Sequence, residues 1–286
     1  MCGLFGAIKL KRNATISTRR IARLARNMDT RGGDSVGWIV DDGNGLGITT
    51  KHLGLAHDVA REIRNDARGA WCIIGHTRYA THGAASEMIN NHPHEYLGEN
   101  AWGAVTHNGV ISNHEETAKE NHCNLLGECD SEILARLMEL DSHLPMKTRA
   151  IDAVDSCNES SKITAVFVES HLQNERSELV IIARGNSLYY SVHNGVLYYS
   201  STLLNLVDAK QLPQNALLHV GIDKGMNIQL GAVSAIKQDN GAFGFGFNDW
   251  RTYRLLDKAE KQYNREYAPP AKAKKKTTSP WWKDNL

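Results

Sequence analysis

The chain has 286 residues with 33 basic and 32 acidic side chains, a formal net charge of +1. That length supports one large domain or two small ones with an ample core, and the balanced charge excludes a global field demanding nucleic acid or an anionic membrane as partner. Five widely spaced cysteines, an odd number, argue against a disulfide framework. No apolar run approaches the roughly 20 residues that span a bilayer, and the N-terminus lacks a leader design, so a soluble cytoplasmic protein is expected.

Gly3 to Leu10 alternates small and apolar residues and predicts a first strand. Ile21, Leu24, Ala25 and Met28 recur at helical spacing within Ser17 to Met28. The polar turn Arg31 to Gly37 leads into strands at Val36 to Val40 and Leu46 to Thr50, joined by a hairpin at Asp41-Asp42-Gly43-Asn44-Gly45. A short helix follows over Asp58 to Ala67. Trp71 to His76 reads as a buried strand running into a polar loop from Thr77 to Pro93. Trp102 to His107 is another strand, ending in Asn108-Gly109. Helices are predicted over Asn113 to Asn121, Asp130 to Leu140 (with Asp130 as N-cap) and Lys147 to Val154.

Four strands come next, at Ile163 to Glu169, Glu178 to Ala183, Ser187 to Val192 and Val196 to Ser200, with Asn194-Gly195 as a hairpin signal. Two more are expected at Ala216 to Val220 and Met226 to Gln229. Strands and helices come in blocks, which favours a layered α+β fold with largely antiparallel sheets. Residues 236–286 differ in character: a Gly/Phe tract from Gly241 to Phe247, a polar helical stretch around Tyr253 to Tyr267, a lysine-rich run at Lys272 to Lys276, and Trp281-Trp282. They read as an extension with a disordered basic linker, offering a weak nucleic-acid contact through Lys272 to Lys276 and an apolar docking element in the tryptophans or the Gly/Phe tract.

The chemistry concentrates elsewhere. Cys2 follows Met1 directly; with Met1 removed, one residue carries both a thiol and an α-amine of pKa about 7.7–8.0, a nucleophile with its own base. Three polar loops complement it: His76 to Gly83, His107 to Glu115 and Glu128 to Glu132. Arg78 suits a carboxylate, Asp130 an ammonium, and Asn108 with the Gly109 amide suits an oxyanion hole. An α-amino acid with a side-chain amide satisfies all of them. Among the 13 histidines, His76, His82, His92, His94, His107 and His114 cluster in these loops. Their spacing matches no zinc pattern; they are expected to bond loop backbone or shape the pocket, with no metal and no cofactor. Cys72, in an apolar strand, is expected to be an inert core thiol.

Six segments in order resemble the class II glutamine amidotransferase domain, an N-terminal-nucleophile hydrolase, most closely the glutaminase domain of glucosamine-6-phosphate synthase. They are Met1 to Gly6, the Arg31-Gly32-x-Asp34-Ser35-x-Gly37 turn, Gly75 to Gly83, Asn91-His92-Pro93-His94, His107 to Glu115, and Asp130-Ser131-Glu132. The resemblance covers roughly residues 2–235, expected as one domain with 236–286 as an extension. It implies a four-layer αββα sandwich of two antiparallel sheets. It implies L-glutamine as substrate, Cys2 as nucleophile with its α-amine as base, and Asn108 and Gly109 at the oxyanion hole. Arg78 falls on the substrate carboxylate, Asp130 on its amino group, Thr81 and His82 in the loop covering it, and Arg31 beneath the N-terminal loop. Gly33, Tyr79 and Cys129 depart from the family pattern; Cys129 stands where Thr is usual. No stretch after 235 is long enough for an acceptor domain, so a free-standing glutaminase subunit passing ammonia to a separate synthase is expected. The alternatives are an amidohydrolase of another γ-glutamyl compound and a binding protein that keeps the fold without the chemistry.

Overall fold

A computed structural model of the chain describes residues 1–223 except 46, 172 and 174, together with the backbone pairing of 228–230 and 234–235. The expectations for 236–286 lie outside the described residues. Fourteen strands and five α-helices are described. One sheet contains β1 (Gly3–Lys9), β2 (Ser35–Asp41), β3 (Gly47–Leu53), β4 (Cys72–Arg78), β9 (Tyr189–His193), β10 (Val196–Ser200) and β11 (Lys210–Gln211), in the order β11-β9-β10-β1-β4-β2-β3. The other runs β13-β12-β8-β7-β6-β5, from β5 (His94–Gly98), β6 (Ala101–Val110), β7 (Lys162–His171), β8 (Arg176–Arg184), β12 (Ala216–Ile222) and β13 (Ile228–Leu230), with β14 (Ser234–Ala235) beside β12. Every described pairing is antiparallel.

Period-two alternation splits each strand between two cores. In β1, Leu4 and Ile8 face the second sheet, while Phe5 and Ala7 face the helices. The inter-sheet core joins these to Ile74, Ala104, Val166, Val168, Leu179 and Ile181. On the outer face of the first sheet, α1 (Thr18–Met28) inserts Ile21, Leu24, Ala25 and Met28 beside α2 (Ala60–Asp66). On the outer face of the second, α3 (His114–Glu120), α4 (Glu132–Glu139) and α5 (Met146–Asp155) pack Ile133, Leu134, Met138 and Ala150 on Val105, Phe167 and Ile182. Three cores between four layers make the expected αββα sandwich. Cys72 is fully buried, as read.

The elements follow the sequence reading with four corrections. The strand entering Thr77 runs on to Arg78, and the strand ending at His107 runs on to Val110, so Asn108 and Gly109 belong to the β6–β7 ladder. The short strands β5, β11 and β14 escape the reading. Helix α4 starts at Glu132 with Ser131 in the cap position, so Asp130 is not the cap. Its carboxylate is turned instead to the backbone N–H of Ile111, 2.7 Å away and 19 residues distant in sequence. The Asn194-Gly195 turn takes φ of 51° and 73°, the left-handed pair that such a two-residue hairpin requires.

Candidate active site

Cys2 stands at the head of β1. Gly3 pairs with Thr77 of β4, which sets the Cys2 end of one central strand beside the Arg78 end of its neighbour. β6 of the opposite sheet packs against both β1 and β4, and His76 Nε2 of β4 lies 2.9 Å from the His107 carbonyl of β6, bridging the sheets. Ala104 of β6 faces the inter-sheet core; by period two, Asn108 shares that face. The three polar segments thus converge at one end of the sandwich.

Around Cys2 the chain is tied down. Its carbonyl accepts from Arg31 Nε at 2.9 Å, and its Sγ lies 3.7 Å from the Tyr79 carbonyl. Burial pushes the Cys2 thiol up; the N-terminal ammonium and Arg78 pull it down, and Asp130 pushes it up further. Cys2 therefore senses a cation and an anion together.

Both of those charges are buried. Arg78 is 2% exposed and donates to Asn91 Oδ1 at 3.1 Å, to the Gly83 carbonyl at 3.0 Å and to the His82 carbonyl. All three acceptors are neutral, and no carboxylate within ion-pair distance of Arg78 appears among the described residues. Asp130 is 4% exposed; it accepts from Ile111 N–H and, at 3.5 Å, from Ser131 Oγ. It too has no cationic partner among the described residues. A buried charge normally finds an opposite one, because desolvation costs several kcal/mol. One unpaired cation and one unpaired anion acting on the same thiol are charges that a zwitterionic ligand can complement.

Asn108, 2% exposed, has its Nδ2 donor buried without any hydrogen-bond partner, while its backbone carbonyl accepts from Asn186 Nδ2 at 2.9 Å. A buried amide N–H₂ without a partner is a donor open to a ligand or a water. Gly109 packs so tightly on the Lys162 carbonyl of β7 that a Cβ has no room there.

Thr81 and His82 sit in an exposed loop, with Thr81 Oγ1 3.3 Å from His82 Nδ1. The loop's own carbonyls hold Arg78, so loop and guanidinium form one unit. The sequence reading gave no role to Asn91 and did not notice Asn90. Asn91 accepts from both Arg78 and Ser35 Oγ (2.8 Å) and aims the guanidinium. Asn90 donates to the Ala84 carbonyl and accepts from Glu128 N–H, joining the loop after β4 to the Asp130 segment. Their signal was their place within or beside the Asn91-His92-Pro93-His94 motif. Of the clustered histidines, His76, His107 and His114 contact backbone carbonyls as expected. His92 and His94 do not follow that pattern: both nitrogens of His92 and the Nε2 of His94 have no hydrogen-bond partner.

No family model matches the chain. Curated relatives do. The glutamine–fructose-6-phosphate aminotransferase (isomerizing) of Sulfurisphaera tokodaii is 33% identical over 142 residues, covering 49% of this chain and 23% of that protein. The Shewanella oneidensis protein of the same name is 32% identical over 195 residues, covering 65% and 29%, and that of Escherichia coli K12 is 36% identical over 143 residues, covering 48% and 22%. The chain thus spans less than a third of the length of these relatives. Among solved structures, the glutamine phosphoribosylpyrophosphate amidotransferase of B. subtilis, complexed with ADP and GMP, superimposes with a TM-score of 0.62 at 20% identity, over 82% of this chain and 49% of that one. That likeness is one of fold. Among the described residues no helix is long and apolar enough to cross a membrane.

Proposed function

We propose that this chain, which carries a class II glutamine amidotransferase domain, hydrolyses L-glutamine to glutamate and ammonia through a γ-glutamyl thioester on Cys2. The observation that carries the reading is the pair of buried, uncompensated charges, Arg78 and Asp130, both acting on Cys2. Free glutamine brings the matching carboxylate and ammonium.

In the described chain the nitrogen of Cys2 is amide-bonded to Met1, so the base arises only when Met1 is cleaved. The freed α-amine then takes the thiol proton, and the thiolate attacks the carboxamide carbon. The Asn108 side chain and the Gly109 amide receive the oxygen that becomes negative. The α-ammonium returns the proton to the amide nitrogen, the C–N bond breaks, and ammonia leaves. Water, deprotonated by the same amine, cleaves the thioester and releases glutamate. Arg31 holds the Cys2 carbonyl while the thiol reacts. Thr81 and His82 belong to the loop that covers the substrate, and its closure is linked to Arg78 through the His82 and Gly83 carbonyls. Ammonia passes to a separate synthase; released into neutral water it is mostly protonated and lost as a nucleophile, which favours transfer within a complex.

Protein whose Met1-free N-terminus is verified by mass is incubated with L-glutamine, alone and with cell extract, and glutamate is measured against a Cys2→Ala control. Cys2-dependent glutamate is expected, with protein retaining Met1 inactive. No Cys2-dependent glutamate in either condition overturns the reading. Competition by γ-glutamyl peptides separates glutamine from other γ-glutamyl substrates.

A further inference from the structure

Next to the charged site lies a second constellation that the chemistry above does not use. His92 and His94 flank Pro93 where the chain enters β5, and Cys129 ends the loop before α4. All three are buried, and one ligand-type atom from each lies within 4.8 Å of the others. As noted above, three of the four imidazole nitrogens lack a partner. A neutral imidazole carries one donor and one acceptor, and a buried unmet group costs about 1–3 kcal/mol. Three such atoms on two imidazoles beside one thiol need an explanation that the hydrogen-bond network does not supply. Two imidazoles and a thiol are the donor set of a borderline-soft transition metal, unlike the oxygen cages of calcium or magnesium.

We propose that His92, His94 and Cys129 form a binding site for Zn²⁺ or a divalent ion of like chemistry, and that filling it weakens the binding of glutamine. Zinc holds imidazole nitrogen at about 2.0–2.1 Å and thiolate sulfur at about 2.3 Å. Its ligand atoms therefore sit about 3.5 Å apart in a tetrahedral site, which side-chain shifts on the order of 1 Å reach from the described positions. Binding releases the Cys129 thiol proton to solvent and forms the metal–sulfur bond. Two segments distant in sequence supply the ligands, which is why their spacing matches no zinc pattern. The link to glutamine is Asp130: its Oδ1 lies 3.9 Å from Cys129 Sγ. A dication on Cys129 competes for the carboxylate that, on the proposed function, receives the substrate ammonium.

Metal binding is read on the full chain carrying Cys2→Ala, which removes the competing N-terminal thiol. Co²⁺ should produce thiolate-to-cobalt charge-transfer absorption that saturates at one equivalent and is bleached by Zn²⁺. Cys129→Thr should abolish it, and His92→Asn should weaken it with the fold intact by circular dichroism. No absorption before Cys129→Thr, or absorption surviving it, overturns the site. Inhibition is read with Cys2 intact: Zn²⁺ should raise the KM for glutamine about tenfold, in the range of ordinary coupling between sites, with chelator restoring it. Cys129→Thr should keep the basal rate and lose the zinc response. A chain that binds Co²⁺ through Cys129 yet ignores Zn²⁺ in the assay overturns the regulatory half alone. Should no glutamate be released under any condition, the function reading and that regulatory half fall together, while the cobalt spectrum still decides the site.

Discussion

Arg78 and Asn108 are both buried polar residues in central strands, yet the proposed reaction asks different things of them. On that proposal Arg78 meets a carboxylate that bears its charge in ground and transition states alike, so its removal should weaken binding uniformly. Arg78→Lys keeps the charge but loses the planar fork that Asn91 and the loop carbonyls aim. It should raise KM roughly 10–100-fold, the worth of a charge-assisted hydrogen bond, with kcat changed far less. Asn108 meets an oxygen that becomes negative only as the tetrahedral intermediate forms. Asn108→Ala should therefore lower kcat about 10²–10³-fold with little change in KM. Steady-state glutamate release gives both parameters; the opposite split would exchange the two roles. These residues were legible in the sequence because their types suit one substrate and their motifs keep family order. Asn91 was not, because nothing in an asparagine's local sequence says that its amide oxygen will take both Arg78 and Ser35.

At the scale of elements, β6 carries Asn108 and Gly109, the proposed oxyanion residues, inside a ladder instead of on a loop. Thr106, Asn108 and Val110 pair with Val166, Thr164 and Lys162 of β7, so the donor geometry is fixed by sheet hydrogen bonds and not by a flexible turn. The sequence reading ended this strand at His107, because Asn-Gly is ordinarily a turn signal. Here the glycine is required by the close approach of the Lys162 carbonyl. Gly109→Ala should therefore act on the whole element, costing about 1–3 kcal/mol as an overpacked site does and lowering glutaminase activity along with it. Urea denaturation followed by tryptophan fluorescence checks the first part, and wild-type stability in Gly109→Ala would mean the strand has slack to spare. The misassigned cap has a similar cause. Asp130 stands one residue before the cap position, and a local rule favoured it, but a long-range bond to Ile111 outweighs the helix end. The long alternating strands were legible because burial on both faces writes itself into composition. β5 and β11 were not, being short edge strands with few apolar positions to display a period.

Over the whole molecule, the active-site end of the sandwich leaves charges unpaired while another part of the second sheet pairs them densely. Glu169 and Glu178 lie directly opposite each other in the β7–β8 register, an arrangement of like charges that destabilises a sheet unless cations intervene. Arg149 of α5 donates to both Glu169 oxygens at 2.6 and 2.7 Å, pinning that helix to the sheet. His171 Nε2 lies 3.0 Å from Glu169 and 3.4 Å from Glu178, while His219 and Arg176 each reach Glu178 at 2.8 Å. Glu169 and then Glu178 hold the His171 proton, raising its pKa to about 9 against the burial that lowers it. Burial alone would push Glu178 up, but His171, His219 and Arg176 outweigh it and hold that carboxyl well below its usual range. The folded His171 pKa is above the unfolded value near 6.5. Its stabilisation is therefore complete below about pH 6.5 and is lost as pH rises through about 9. Glu178 has the opposite sign, losing its contribution only in acid, and Asp41, pushed up to about 6 by burial, changes its protonation below this window. Between pH 6.5 and 8, below the range in which the unfolded cysteines begin to ionise and the raised thiols of the folded chain add losses of the same sign, the loss should follow His171, on the order of 1 kcal/mol after allowance for solvent screening, a fall of a few degrees in Tm for a domain of this size. His171→Gln should start from the lower stability and flatten the decline in thermal melts across that range. A variant that keeps the wild-type slope would place the titrating group elsewhere and leave Arg149 on Glu169 and Arg176 on Glu178 as the cations that offset the facing carboxylates.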